Sequence, residues 1–190
     1  EYNRVMDIHV DGSWYVSRAA VPHLRENNYG RVIFTSSGAG LWGNFGQTNY
    51  SAAKMGILGL SKSIALDMAR FRVRSNCISP FAWSRMTASI PTSGEGAEER
   101  VKRLQSMGAE KIAPLAAYLC SDAAQAVTNQ IFAVRRNEIV LFSKPRPVRS
   151  FAKDGGWTPQ EIADIAMPAF EPDFARGDEV SAHVFPYDPI

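Results

Sequence analysis

The chain has 190 residues, enough for one domain with a real core, and its 45% apolar and 21% charged residues describe a globular, soluble protein rather than a disordered one. The formal net charge is only +2, and the Lys and Arg residues are not clustered with aromatics, so composition gives no argument for nucleic-acid binding. No run of about 18 apolar residues offers a membrane span, and no signal peptide is visible. The two cysteines, Cys77 and Cys120, sit in apolar runs without a second Cys or a His at metal-ligand spacing. They read as two reduced, buried thiols of a reducing, cytoplasmic compartment, and no metal site is expected.

Residues 4–26 predict an amphipathic helix, with Met6, Val10, Trp14 and Val21 near helical spacing and a turn signal at Asn27-Asn28-Tyr29-Gly30. The short apolar run 31–35 suits a buried parallel strand. A Gly- and aromatic-rich loop is expected from Ser36 to about Thr48, then a long helix over 49–70. Residues 73–79 read as a second buried strand closed by Pro80, followed by a polar loop containing Pro91, Gly94 and Gly96. Helices are expected over 98–107 and 109–121, and strands over 130–134 and 138–142. In the tail, Thr158, Pro159 and Glu161 spell a capping box.

This alternation predicts an α/β fold, the C-terminal part of a doubly wound, parallel-sheet Rossmann-type domain, with 143–190 as an extension carrying one short helix. Three or four strands are fewer than the roughly six of a complete dinucleotide-binding fold. The chain also opens on Glu1, inside a helical pattern, so residues are expected upstream.

Tyr50 and Lys54 stand at i and i+4 and leave one helix face together. A bare Tyr-x-x-x-Lys match is close to chance, but Ser37 lies thirteen residues earlier, just beyond a buried strand. Carboxyl ends of strands are where open α/β sheets place ligands. A free phenol titrates near pH ~10, and a close ammonium favours its ionised form. A Tyr so placed can exchange a proton with a carbonyl or alcohol oxygen, and a Ser hydroxyl can steady the charge on that oxygen. Gly38-Ala39-Gly40-Leu41-Trp42-Gly43 matches G-x-G-x-x-G. It is read instead as a substrate-side loop, because bulky Leu41-Trp42 would crowd a pyrophosphate and the helix is expected to begin only near Asn49. A serine-hydrolase elbow fails because Thr35 occupies its first Gly position.

Thr35-Ser36-Ser37, Asn49-Tyr50-Ser51-Ala52-Ala53-Lys54 and Arg74-Ser75-Asn76-Cys77-Ile78-Ser79-Pro80 together resemble the short-chain dehydrogenase/reductase family. The loop 43–50, Ser84-Arg85-Met86-Thr87, Gln130-Ile131-Phe132-Ala133-Val134 and Trp157-Thr158-Pro159 are similar to its (3R)-hydroxyacyl-CoA dehydrogenase domains and their bacterial relatives. The resemblance covers nearly the whole chain. It implies an oxidoreductase using NAD or NADP on a secondary alcohol or ketone of an acyl or sterol-type substrate. It makes Tyr50 the acid/base, Lys54 the ribose-binding partner, Ser37 the donor to the substrate oxygen, and puts His9 where the family often has a catalytic Asn. Ser36, Pro80, Phe81 and Trp83, with Tyr50 and Lys54, would border the cofactor, and Phe81 replaces the family's usual Gly after Pro. Trp42, Phe45 and Met86 are expected to line the substrate pocket. The family's phosphate loop is expected in sequence preceding Glu1. Ala52, Gly56, Gly59 and Ser63 form a small-residue stripe, and the resemblance implies a homodimer or homotetramer. The competing expectation is a non-catalytic or partner-dependent subunit.

Overall fold

The computed structural model describes residues 1–84, 97–175, 177 and 181–190. The expected loop with Pro91, Gly94 and Gly96, together with Arg85, Met86 and Thr87, lies outside these residues. The chain divides into two compact units, Glu1–Phe142 with Val180–Ile190, and Ser143–Glu179.

The first unit opens with helix α1 (Tyr2–Met6), a π-helical turn (Asp7–Asp11) and helix α2 (Gly12–Glu26). Strand β1 (Gly30–Thr35) leads to a short helix α3 (Gly38–Trp42), the long helix α4 (Thr48–Asp67) and strand β2 (Val73–Phe81). Helices α5 (Ala97–Gln105) and α6 (Ala113–Cys120) precede the hairpin of β3 (Ile131–Arg135) and β4 (Glu138–Leu141). The sheet order is β1-β2-β3-β4; β1, β2 and β3 are parallel, and β4 is antiparallel to β3.

Both faces of β2 are covered, which is why it reads as an unbroken buried run. On one face Val73 and Cys77 join Ile57, Leu58 and Ile64 of α4 and Phe34 of β1, with Val21 and Leu24 of α2 packed beside them. On the other face Ile78 meets Val134 and the α6 residues Leu115 and Leu119. Helices therefore flank the sheet on both sides, as the alternating pattern predicts.

Two elements differ from expectation. The stretch taken for a loop contains α3, which opens on Gly38 directly after the strand. β2 also runs through Pro80 to Phe81 rather than ending at it. β1 pairs only as far as Ile78, so Pro80 stands where β2 has β3 alone as neighbour and tolerates a missing N–H.

Asn76, 1% exposed, ties β2 to the lead-in of β3: its Nδ2 donates to Val127 O and its Oδ1 accepts from Gln130 N, both at 3.0 Å. In the second unit Thr158 caps the helix Pro159–Glu161, and Glu161 returns the bond to Thr158 N at 3.0 Å, as the capping box predicts. Phe151 packs edge-on against Phe170 there, with ring centroids 5.0 Å apart.

Replacing Asn76 by Ala strands the half-buried Gln130 N–H and Val127 C=O. The expected cost is about 2–3 kcal/mol in urea-induced unfolding. A loss below about 0.5 kcal/mol would show that the Asn76 bridge does not hold β3 to β2.

Candidate active site

The site forms at the carboxyl end of β1. Ser36 N donates to Ile78 O at 2.8 Å, holding the chain to β2 as it leaves the strand. The buried Ser36 hydroxyl donates to Lys54 O at 2.9 Å. In return Lys54 Nζ donates to Thr35 O at 3.0 Å. The strand end and α4 are thus joined by two bonds of opposite direction through one residue.

Lys54 is 7% exposed, and burial holds its ammonium below the usual lysine range. Tyr50, one turn earlier on the same face, carries its ring centroid 5.6 Å from Lys54 Nζ. His9 stands edge-on to Tyr50, with ring centroids 5.4 Å apart. Burial, with a smaller contribution from the Lys54 charge, lowers the His9 pKa from its ordinary value. His9 lies in the middle of the π-helical turn, and the Ser13 hydroxyl donates to His9 O at 2.6 Å. Side-chain bonds of that kind bend a helix, and single π turns recur at functional positions.

Ser37 has extended backbone and caps α3, its Oγ accepting from Ala39 N at 3.3 Å. Three glycines explain the apparent dinucleotide fingerprint without a phosphate. A Cβ on Gly38 would meet the Trp42 ring at 2.4 Å, and one on Gly40 would meet the Lys54 backbone at 2.7 Å. Gly43 ends α3 at a φ of 90°, which L side chains rarely adopt. These glycines serve close packing and a turn.

His9, Tyr50, Lys54 and the Ser36-Ser37 turn therefore converge. Pro80 and Phe81 end the neighbouring strand, and Trp83 N donates to Met107 O at 2.6 Å. Trp42 packs in an aromatic cluster with Phe81, Phe142 and Phe185, whereas Phe45 is 81% exposed. Met86 lies outside the described residues. Sequence reasoning passed over three features. The π turn has no compositional signature. Ser79, fully buried one residue before Pro80 with no hydrogen-bond partner for its hydroxyl among the described residues, reads as an ordinary strand residue. Phe185 and Arg135 meet only in three dimensions. Beside the site, a groove of about 400 Å³ runs along the edge of β1, lined among others by Ile8, His9, Ser13, Val32, Phe34 and Lys54.

Fold and site together define a doubly wound α/β protein whose polar cluster sits at the carboxyl ends of parallel strands. A family model described as Enoyl-(Acyl carrier protein) reductase matches residues 1–135. A peroxisomal hydratase-dehydrogenase-epimerase of Saccharomyces cerevisiae is 43% identical over 132 residues, 70% of this chain and 14% of that protein. A hydroxyacyl-CoA dehydrogenase of Mycobacterium tuberculosis is 33% identical over 171 residues, 85% of this chain and 53% of that one. The crystal structure of a short chain dehydrogenase from Mycobacterium avium superposes with a TM-score of 0.75 at 32% identity, covering 93% of this chain and 58% of that one. The chain belongs to the short-chain dehydrogenase/reductase family. It spans 14%, 53% and 58% of the lengths of these three relatives.

The lowered His9 pKa fixes a sign. The unfolded chain binds a proton at His9 more readily than the folded one, so stability falls as pH drops through the ordinary value of 6.5. The loss levels off once pH passes the lower folded-state value. Urea midpoints of wild type and His9→Gln, followed from neutral to acid pH, should diverge as pH falls below 6.5, with wild type losing more. Parallel curves would contradict the assignment.

Proposed function

We propose that this chain carries the proton-transfer and substrate side of an NAD- or NADP-dependent oxidoreductase. It interconverts a secondary alcohol and a ketone on a 3-hydroxyacyl-CoA or a related acyl or sterol substrate. One observation carries the reading: Tyr50 is flanked by a buried, desolvated ammonium and by an imidazole that is itself disfavoured from charging. The name of the M. tuberculosis relative, a hydroxyacyl-CoA dehydrogenase, supports the substrate class.

The residues fit a nicotinamide dinucleotide. An ammonium has three N–H donors, and Lys54 gives one to Thr35 O, so others remain for a ribose hydroxyl. A bound nicotinamide supplies or accepts the hydride. Tyr50 gives its hydroxyl proton to the ketone oxygen in reduction and takes it from the alcohol in oxidation. Ser37 Oγ accepts from Ala39 N, and its own O–H can donate to the same oxygen. His9 stands edge-on to the Tyr50 ring and can pass a proton behind it. Ser36 acts on the cofactor side by holding Lys54, while Pro80, Phe81 and Trp83 would border a bound nicotinamide. Trp42, Phe45 and Met86 stay assigned to the acyl side.

The glycine-rich phosphate loop belongs to polypeptide outside these residues. Among the described residues no strand pairs with the outer edge of β1, and that edge and the groove beside it support that reading, since an exposed apolar strand edge is normally covered. Ala52, Gly56, Gly59 and Ser63 all face outward on α4, which supports pairing of this helix with a second copy. Light scattering on the full-length protein should give a dimer or tetramer, and a monomer at micromolar concentration would refute the pairing. Among the described residues no helix is long and apolar enough to cross a membrane, and both thiols are free, Cys77 buried but Cys120 exposed rather than buried as its apolar run predicts. We assign the protein to a reducing compartment, the cytoplasm; the peroxisome in the yeast relative's name is the other outcome that imaging would read.

In the full-length protein, Tyr50→Phe should lower the rate of NAD(P)H formation from a 3-hydroxyacyl-CoA by about 10²–10⁴-fold, with the unfolding midpoint unchanged. Wild-type turnover in that variant would sink the mechanism.

A further inference from the structure

The C-terminal residues fold back onto the end of the sheet that carries the site. Phe185 is 7% exposed, and its ring centroid lies 5.4 Å from that of Phe81, 6.2 Å from Trp42 and 6.4 Å from Phe142. The buried Arg135 guanidinium lies 4.6 Å from the ring centroids of both Phe185 and Tyr187. Its Nε pairs with Glu138 at 2.7 Å, and its Nη2 donates to Tyr187 O at 3.0 Å. Arg136 Nη1 donates to Pro189 O at 3.1 Å, and Asn137 N donates to Ile190 O at 3.0 Å. Arg103 pairs with Asp188. Residues 185–190 are thus strapped to the β3–β4 turn by main-chain acceptors and one buried cation.

Two of the rings that Phe185 touches lead back to the site. Trp42 lies against Gly38, so closely that a Cβ there would overlap its ring, and Gly38 follows Ser37 directly. Phe81 follows Pro80 at the end of β2. A contiguous path runs from the strapped tail through Phe185 to Trp42 and the Ser37 turn, and through Phe81 to the strand end. We propose that Phe185 is a positioning residue. The tail holds it against Trp42 and Phe81, and so fixes the turn that aims the Ser37 hydroxyl. This rests on the reading of Ser37 as donor to the substrate oxygen.

Hydrogen exchange of the full-length protein reads the coupling without turnover. Phe185→Ala should raise amide exchange across residues 38–43 by roughly tenfold, leaving α4 and residues 73–78 of β2 unchanged, and Phe185→Leu should restore most of the protection. A rise confined to 181–190 would overturn the proposal, as would a uniform rise across the whole sheet. In parallel, kcat for alcohol oxidation should fall in Phe185→Ala while KM for the cofactor holds. Raised exchange at 38–43 with kcat unchanged would uphold the brace and refute the role given to Ser37.

Discussion

The site depends on one buried cation. Lys54 carries its carbonyl to the Ser36 hydroxyl and its ammonium to the Thr35 carbonyl, so a single residue fastens helix α4 to the end of β1 from both directions. Gly40 rests on its backbone, which sets how closely α3 approaches the same helix. Taking an ammonium out of water is costly, and the depressed pKa of Lys54 measures that cost in direction. What the fold gains is an ammonium of fixed position next to the Tyr50 ring, in a place where a charge–dipole interaction is stronger than in water.

From that constraint the other parts follow. Tyr50 is placed by helical spacing alone, and Ser37 by the turn that Ser36 begins. His9 comes from a different part of the chain, and the π turn brings its ring edge-on to Tyr50. Charging His9 is disfavoured by burial and, less strongly, by the Lys54 charge. Such pairs of groups with divergent tendencies to ionise are what proton-transfer sites require.

Much of this was legible in the residues. β1, β2 and α4 announce themselves because strands covered on both faces read as unbroken apolar runs, and the capping box at Thr158 is a purely local signal. The Tyr50–Lys54 pair was legible for the same reason: i,i+4 spacing needs no tertiary information. What escaped is either too short or too distant in sequence. α3 has five residues, of which the first and third are glycines, so propensity argues against it until packing on Trp42 and Lys54 is known. β2 passes through Pro80 only because β1 has already stopped pairing. The contacts of Phe185 with Trp42 and Phe81 join residues more than a hundred positions apart, and no periodicity records them.

The central claim is that the buried Lys54 is a cofactor-binding residue as well as a structural clasp. A fluorescence titration of NADH and NADPH into the full-length protein, wild type against Lys54→Met, tests it most directly, with circular dichroism to confirm that the variant folds. The account predicts binding of one of the two nucleotides by wild type and at least a roughly tenfold weaker Kd in the folded variant, the loss of one charge-assisted hydrogen bond. Equal affinity in the two proteins, or no binding of either nucleotide by wild type, would contradict it.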